Sequence, residues 1–273
     1  MRHTLSLRTQ PRLRVDARAW SPVRLAAMTR EEILRLPLQH GRASLPLAEL
    51  FAVRSESIDE PAPQLRVEGD LSRFDCLGAG LAAGTMEIDG KVGDCLGLGM
   101  SAGELRVSGT ARDLAGCAMS GGWLEVRGDV GDFAGGPLPG AMEGMSGGTL
   151  LVHGRAGARL GDRMRRGTVV VHGDAGDFLA SRLVAGTIAL GGRCGAHPGW
   201  AMRRGSIVFA GEQAPVPAAT FVPVHADLEV IWQLLARDLA RFGGRFQGLA
   251  GRSVTRWAGD LAVQGRGEWL LPR

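Results

Sequence analysis

The chain has 273 residues, a formal net charge of +4 and 45% hydrophobic content, which allows a large core and excludes a disordered chain. No apolar run reaches the roughly 18 residues a membrane helix needs, and Met1-Arg2-His3-Thr4-Leu5-Ser6-Leu7-Arg8 lacks a signal-peptide core, so a cytoplasmic protein with no membrane role is expected. The modest positive balance carries no aromatic–basic interleaving, which argues against a nucleic-acid binder.

Residues 1–62 are not repetitive and are expected to form an N-terminal cap. Thr29-Arg30-Glu31-Glu32 is a capping box that opens a short helix ending before Pro37. Leu45 to Phe51 reads as a second short turn, and Gln64-Leu65-Arg66-Val67-Glu68-Gly69 as the first strand, slightly out of register with the later repeats.

Residues 63–212 are a repeat. Glycines recur at Gly84, Gly103, Gly122, Gly148, Gly167, Gly186 and Gly205, at intervals of 19 residues except for one of 26 between Gly122 and Gly148. A second glycine follows each by six, and the segments between are β-branched runs such as Thr168-Val169-Val170-Val171. Short strands closed by glycine turns at a fixed short period predict an all-β fold, a single-chain solenoid β-helix with coils of about 19 residues.

Within each coil the second and fourth residues after the corner glycine are apolar, from Met86 and Ile88 to Ile207 and Phe209, and should point inward. Leu81, Met100, Met119, Met145, Met164, Leu183 and Met202 form another apolar file, read as core. The third residue should point outward. It is charged at Glu87, Arg106 and Glu125 but apolar at Leu151, Val170, Ala189 and Val208, so the late coils need a cover. Residues 213–273 should supply it: Asp227 is expected to cap an amphipathic helix presenting Leu228, Ile231, Leu234, Leu235, Leu239 and Phe242, ended by Gly243-Gly244. The segment from Phe246 to Leu271 reads as irregular chain with one or two short strands.

Few residues offer chemistry. Cys76, Cys95, Cys117 and Cys194 lack metal-ligand spacing and read as small buried residues in a reducing compartment. His153 and His172 share a repeat position, but Arg127 and Gly191 flank them in that file, so exposed stacked histidines are expected and no metal site. Asp94, Asp113, Asp132 and Asp177 read as turn residues holding backbone N–H groups. Arg165-Arg166 and Arg203-Arg204 lie two coils apart on one edge, about 10 Å from each other, with Arg163 and Arg182 alongside. That edge suits a polyanion or an acidic partner surface, or is a solvated rim. The insertion 135–141 should project as a loop. No catalytic constellation, Walker loop or dinucleotide fingerprint is present, so no active site is expected in this chain.

The 19-residue repeat with Gly-Asp and Met-x-x-Gly is similar to the glycine-rich β-helix domain of glutamate synthase. It more closely resembles the C subunit of formylmethanofuran dehydrogenase. Thr29-Arg30-Glu31-Glu32-Ile33, Leu50-Phe51, Trp257-Ala258-Gly259-Asp260 and Gly265-Arg266-Gly267-Glu268 extend that likeness over most of the chain. The resemblance implies a structural subunit of one of two complexes. One is the bacterial formyltransferase/hydrolase complex, which converts formyl-tetrahydromethanopterin to formate through a methanofuran-type carrier. The other is a molybdenum or tungsten formylmethanofuran dehydrogenase. The arginine-rich composition, with one lysine, favours the bacterial complex. Its partners would be the A (hydrolase), B and D (formyltransferase) subunits in a hetero-octamer, with no cofactor bound directly. A separate ligand role is also open: Arg165, Arg166, Arg203 and Arg204 would hold the carrier's polyglutamate tail.

Overall fold

A computed structural model describes every residue except Pro61, Ala226 and Asp227. Strands dominate: one 13-stranded sheet and one 4-stranded sheet, with three α-helices among the described residues, make the fold all-β. The chain opens with β1 (Arg2–Leu7), β2 (Val15–Asp16), α1 (Pro22–Ala26), α2 (Arg30–Leu34), β3 (Pro37–His40), β4 (Ala43–Pro46) and β5 (Phe51–Glu56). Thr29 and Glu32 form the capping box at the start of α2, as their spacing requires. The predicted turn before Phe51 is a single 3-10 turn, Leu47–Glu49.

The N-terminal strand takes a place that the local sequence pattern does not show. Strand β1 lies between β5, to which it is antiparallel, and the first repeat strand, β6 (Gln64–Glu68), to which it is parallel. The N-terminal residues therefore satisfy the backbone edge that β6 would otherwise expose. Trp20, Phe51 and Phe74 meet beside it, with Trp20 and Phe51 edge to face and their centroids 5.2 Å apart, and seal that end of the core.

The repetitive part adds β7 (Phe74–Asp75), β8 (Thr85–Asp89), β9 (Glu104–Val107), β10 (Ser120–Val126), β11 (Gly147–Val152), β12 (Thr168–Val171), β13 (Thr187–Leu190) and β14 (Ser206–Phe209). From β8 to β14 each strand pairs in parallel with the next, equivalent residue against equivalent residue except at the start of β10, where the register shifts and Ser120 faces Gly147. The pairing of Gln64 with Thr85 is offset by 21 residues, which is the register difference seen in the sequence. A narrow second ladder of parallel bridges runs through Leu71, Val92, Ala111, Val130, Ala156, Ala175 and Cys194. Between the ladders, the inward strand residues and the whole methionine–leucine file are buried.

The connecting corners have an unusual backbone. In the first repeat Cys76, Gly78 and Gly80 are left-handed, at φ of 60°, 70° and 63°; in a late one Phe178, Ala180 and Arg182 are, at 59°, 56° and 55°. Left-handed geometry costs a non-glycine residue about 1–2 kcal/mol. It persists because it aims amides along the stack: Phe178 N–H donates to Ala196 O at 2.8 Å, and Arg159 N–H to Asp177 O at 2.8 Å. Glycine is obligatory where backbones nearly touch. A Cβ on Gly167 would lie 2.7 Å from Gly148 O, at a φ of 100°.

The chain ends with β15 (Val222–Val224), α3 (Glu229–Ala240), β16 (Val254–Gly259) and β17 (Gly267–Pro272). The strands expected after Phe246 are β16 and β17, each of six residues. β17 extends the sheet in parallel from β14, and β16 and β15 add to it antiparallel. The predicted cover is in place: Leu151, Val170, Ala189 and Val208 pack with Trp232, Ala236, Leu239, Phe242, Phe246 and Leu249 in a second core. Burying a valine or leucine in this way contributes about 1.5–3 kcal/mol.

The helix face differs from expectation. Leu239 and Phe242 are buried, but Ile231 is 61% and Leu234 64% exposed, and Trp232 and Ala236 take the inner side. Two apolar stripes run along α3, and the one bearing Trp232 wins because its indole N–H also reaches Arg252 O at 2.8 Å. The expected cap at Asp227 lies outside the described residues.

Candidate functional site

The arginine pairs sit where the repeat elsewhere has small residues. At the two positions before the corner glycine, earlier repeats carry Ala82-Ala83, Ser101-Ala102, Ser120-Gly121 and Ser146-Gly147; later ones carry Arg165-Arg166, Val184-Ala185 and Arg203-Arg204. Backbone bonds between adjacent repeats lay these positions side by side: Arg165 N–H donates to Met145 O at 2.8 Å, Val184 N–H to Met164 O at 2.9 Å and Arg203 N–H to Leu183 O at 2.7 Å. A groove of about 730 Å³ results, with Arg165 and Arg166 on one wall, Arg203 and Arg204 on the other, and Val184 and Ala185 between them. The four arginines predicted from the sequence do converge.

Arg163 and Arg182 extend the same edge. They occupy a left-handed corner position that the first repeats give to Gly80 and Gly99. A groove of about 370 Å³ lined by Met142, Arg163, Arg165, Arg182 and Arg203 joins the first, and a third of about 410 Å³ runs under the inserted loop between Phe133, Leu138 and Arg182. Arg182 is held rigidly: its Nε and Nη2 donate to Asp162 at 2.9 and 2.6 Å, and the Asp162 carboxylate, 1% exposed, also accepts from Ser181 Oγ at 2.6 Å. Asp162 was not singled out from the sequence. The available signal was an acid in a file otherwise occupied by Ala79, Leu98, Cys117, Gly136, Ser181 and Trp200.

The arginines differ in their partners. Arg165 pairs with Glu143 at 2.8 Å, whereas Arg163, Arg166, Arg203 and Arg204 make no ion pair among the described residues. The insertion projects as a loop, and Arg163 Nη1 steadies it by donating to Ala141 O at 3.1 Å. Just after it, Met142 is 76% exposed.

The other candidates are committed to the fold. Asp94, Asp113, Asp132 and Asp177 each accept a backbone N–H from the following repeat, at 3.3, 2.9, 2.8 and 2.7 Å; Asp129 and Asp174 do the same in a parallel file. These carboxylates hold backbone N–H groups, as read from the sequence, but those of the next repeat and not of their own turn, so they clip neighbouring repeats together. His153 and His172 stack with centroids 5.2 Å apart and planes 6° apart. They are half-buried and not exposed as expected, because Phe246 closes over His172 at 5.2 Å. His153 Nε2 lies 2.9 Å from Glu125, and burial, with His153 alongside, pushes the His172 pKa below its ordinary value. Burial pushes the Cys95 and Cys194 thiols up to about 11 and Cys117 to about 12, so they stay protonated at neutral pH. A further groove of about 820 Å³ lies between α3 and β16, lined by Trp232, Gln233, Arg252, Arg256 and Arg273, and had no sequence signal.

No family model matches the chain. A segment of 82 residues, 30% of the chain, is 35% identical to the C subunit of molybdenum-containing formylmethanofuran dehydrogenase 1 of Methanosarcina barkeri, and spans 27% of that relative's length. The whole fold has a counterpart in an X-ray crystal structure of the formyltransferase/hydrolase complex FhcABCD from Methylorubrum extorquens, in complex with methylofuran. The TM-score is 0.90 at 39% identity, covering 99% of both chains. No helix among the described residues is long and apolar enough to cross a membrane. An identity of 39% sustained over 99% of both chains, together with the segment shared with a named C subunit, means that this chain belongs to the C-subunit family of formylmethanofuran dehydrogenase.

Proposed function

We propose that the chain is a non-catalytic structural subunit of a formyltransferase/hydrolase complex. That complex converts formyl-tetrahydromethanopterin to formate through a formylmethanofuran-type carrier, in one-carbon metabolism in the cytoplasm. The observation that carries this reading is the match of 99% of the chain to a chain of the Methylorubrum extorquens complex. The commitment of acid–base groups to structure supports it: aspartates are tied to backbone amides, His153 to Glu125, and the thiols are held protonated.

In this reading residues 63–212 are one solenoid β-helix of 19-residue coils, whose faces are the wide and narrow parallel ladders. Residues 1–62 cap its start, and 213–273 cover its late face and its far end. The partners are the A (hydrolase), B and D (formyltransferase) subunits, in a hetero-octamer. The carrier belongs to the complex, and no cofactor is held by this chain alone. Arg165, Arg166, Arg203 and Arg204 form the anion-recognising edge, for an acidic partner surface or for the carrier's polyglutamate tail.

Affinity purification of the chain from its own cells tests the proposal. Co-purifying hydrolase and formyltransferase subunits, with formate released from formyl-tetrahydromethanopterin, is the expected result. A molybdopterin and iron–sulfur dehydrogenase in their place would assign the chain to the other complex, to which the Methanosarcina barkeri relative's name points. A chain recovered without partners would refute both.

A further inference from the structure

The exposed apolar residues of the repeat are not scattered. Leu138 of the inserted loop, Met142 just after it, Trp200 at a corner, and Val263 of the C-terminal segment are all exposed large side chains. Met142 and Val263 line the same groove as Arg163, Arg165, Arg182 and Arg203, and Leu138 shares the adjoining groove with Arg163 and Arg182. Trp200 belongs to the corner file next to them: its carbonyl accepts from Arg182 N–H at 2.7 Å. Met, Trp and Arg are the side chains enriched where proteins dock on one another, and apolar anchors ringed by cations are what such a surface presents.

We infer that this edge docks a protein surface of another subunit, one with an apolar centre and an acidic rim. The inference rests on the scaffold reading above and deepens it. Met142 is the central anchor: it is 76% exposed on a loop that Arg163 fastens to the body, so it is presented without a large ordering cost. The rim is supplied by Arg163, Arg166, Arg203 and Arg204, which have no ion pair among the described residues and would gain carboxylate partners. Arg182, its charge already paired with the buried Asp162, contributes a fixed wall and not a free cation. A flexible polyanionic tail would use the cations alone. The thioether and indole among them favour a folded partner.

The test uses the full chain, tagged and co-expressed with the hydrolase and formyltransferase subunits. Subunit recovery is read by native mass spectrometry for Met142→Asp and for the double variant Arg203→Glu/Arg204→Glu. Each variant is expected to lower recovery of at least one partner by about tenfold or more, with an unchanged circular dichroism spectrum. Added salt should weaken the wild-type contact in the same direction. Hydrogen exchange of wild-type chain gives an independent reading: amides of 137–143 should be slower in the complex than in the chain alone. Wild-type recovery in both variants, with no protection of that loop, overturns the inference. Loss of the furan carrier with all subunits retained also overturns it, and assigns the edge to a polyanionic tail. A wild-type chain that recovers no partner would instead sink the scaffold reading, and this inference with it.

Discussion

The early and late halves of the main sheet pair their strands alike but differ sharply in the file of side chains on the outward face. In β8, β9 and β10 the outward residue is Glu87, Arg106 or Glu125; in β11 to β14 it is Leu151, Val170, Ala189 or Val208. Register and pairing are the same in both halves. Glu87 and Arg106 stay in solvent, whereas the four apolar residues are sealed under α3 and the turns after it. Strand geometry therefore does not decide which face is covered. Four side chains do. Glu125 marks the border: it is nearly buried, yet is met by His153 at 2.9 Å, Arg127 at 3.4 Å and Arg106 at 3.7 Å.

That contrast can be broken most severely at Val170. Val170→Asp would place an unpaired carboxylate beneath Trp232 and Ala236, with an expected loss of about 3–5 kcal/mol in urea unfolding. Glu87→Val, at the equivalent early position, should stay within about 0.5 kcal/mol. Equal effects would show that α3 seals nothing. The inward file should show no such asymmetry: Met100→Ala and Met164→Ala, both fully buried, are each expected to cost about 2–5 kcal/mol. A large early-versus-late difference in their unfolding midpoints would contradict a uniform core.

The half-buried His172 adds a pH dependence confined to the covered face. Its folded pKa is lowered from 6.5, chiefly by burial, so below 6.5 the unfolded chain binds more protons than the folded one. Its contribution is intact above 6.5 and is lost as pH falls through the folded value. His172→Gln should therefore flatten the decline in Tm between about pH 7 and pH 5 relative to the wild type. Identical slopes would remove His172 from the account. The smallest effect is expected at Ile231→Ser on the outer stripe of α3, within about 0.5 kcal/mol. Trp232→Ala, one residue on, should cost about 3–5 kcal/mol, and thermal melts of the pair would confirm which stripe faces inward.

Much of this was legible because a repeat writes the same constraint many times over. Gly84 to Gly205 set the register, the methionine file marked the core, and the change from Glu125 to Leu151 announced a cover. Single occurrences were harder to read. Val230, Ile231 and Leu234 compete with Trp232, Ala236 and Leu239 at helical spacing, and only the tertiary partner Arg252 separates them. Strand β1 pairs with residues more than sixty positions away, as Arg2 with Gln64, which local pattern cannot show. The four arginines were found because the corner Met-Arg-Arg-Gly recurs two repeats apart, at Met164 and at Met202. Met142 and Trp200 were missed because each is one apolar residue in a loop or corner, and only the fold brings them to the same edge.

The in-register pairing of equivalent residues has a mechanical consequence. From β6 to β14 there are seven inter-strand steps of about 4.8 Å, so the first and last repeat strands stand about 34 Å apart. Each step is fastened by backbone hydrogen bonds, and many also by an aspartate reaching across. Such a stack can be neither stretched nor shortened without breaking several bonds at once. Two bodies gripped at its ends would be kept at a set separation, as by a spacer bar whose length is fixed by the number of repeats.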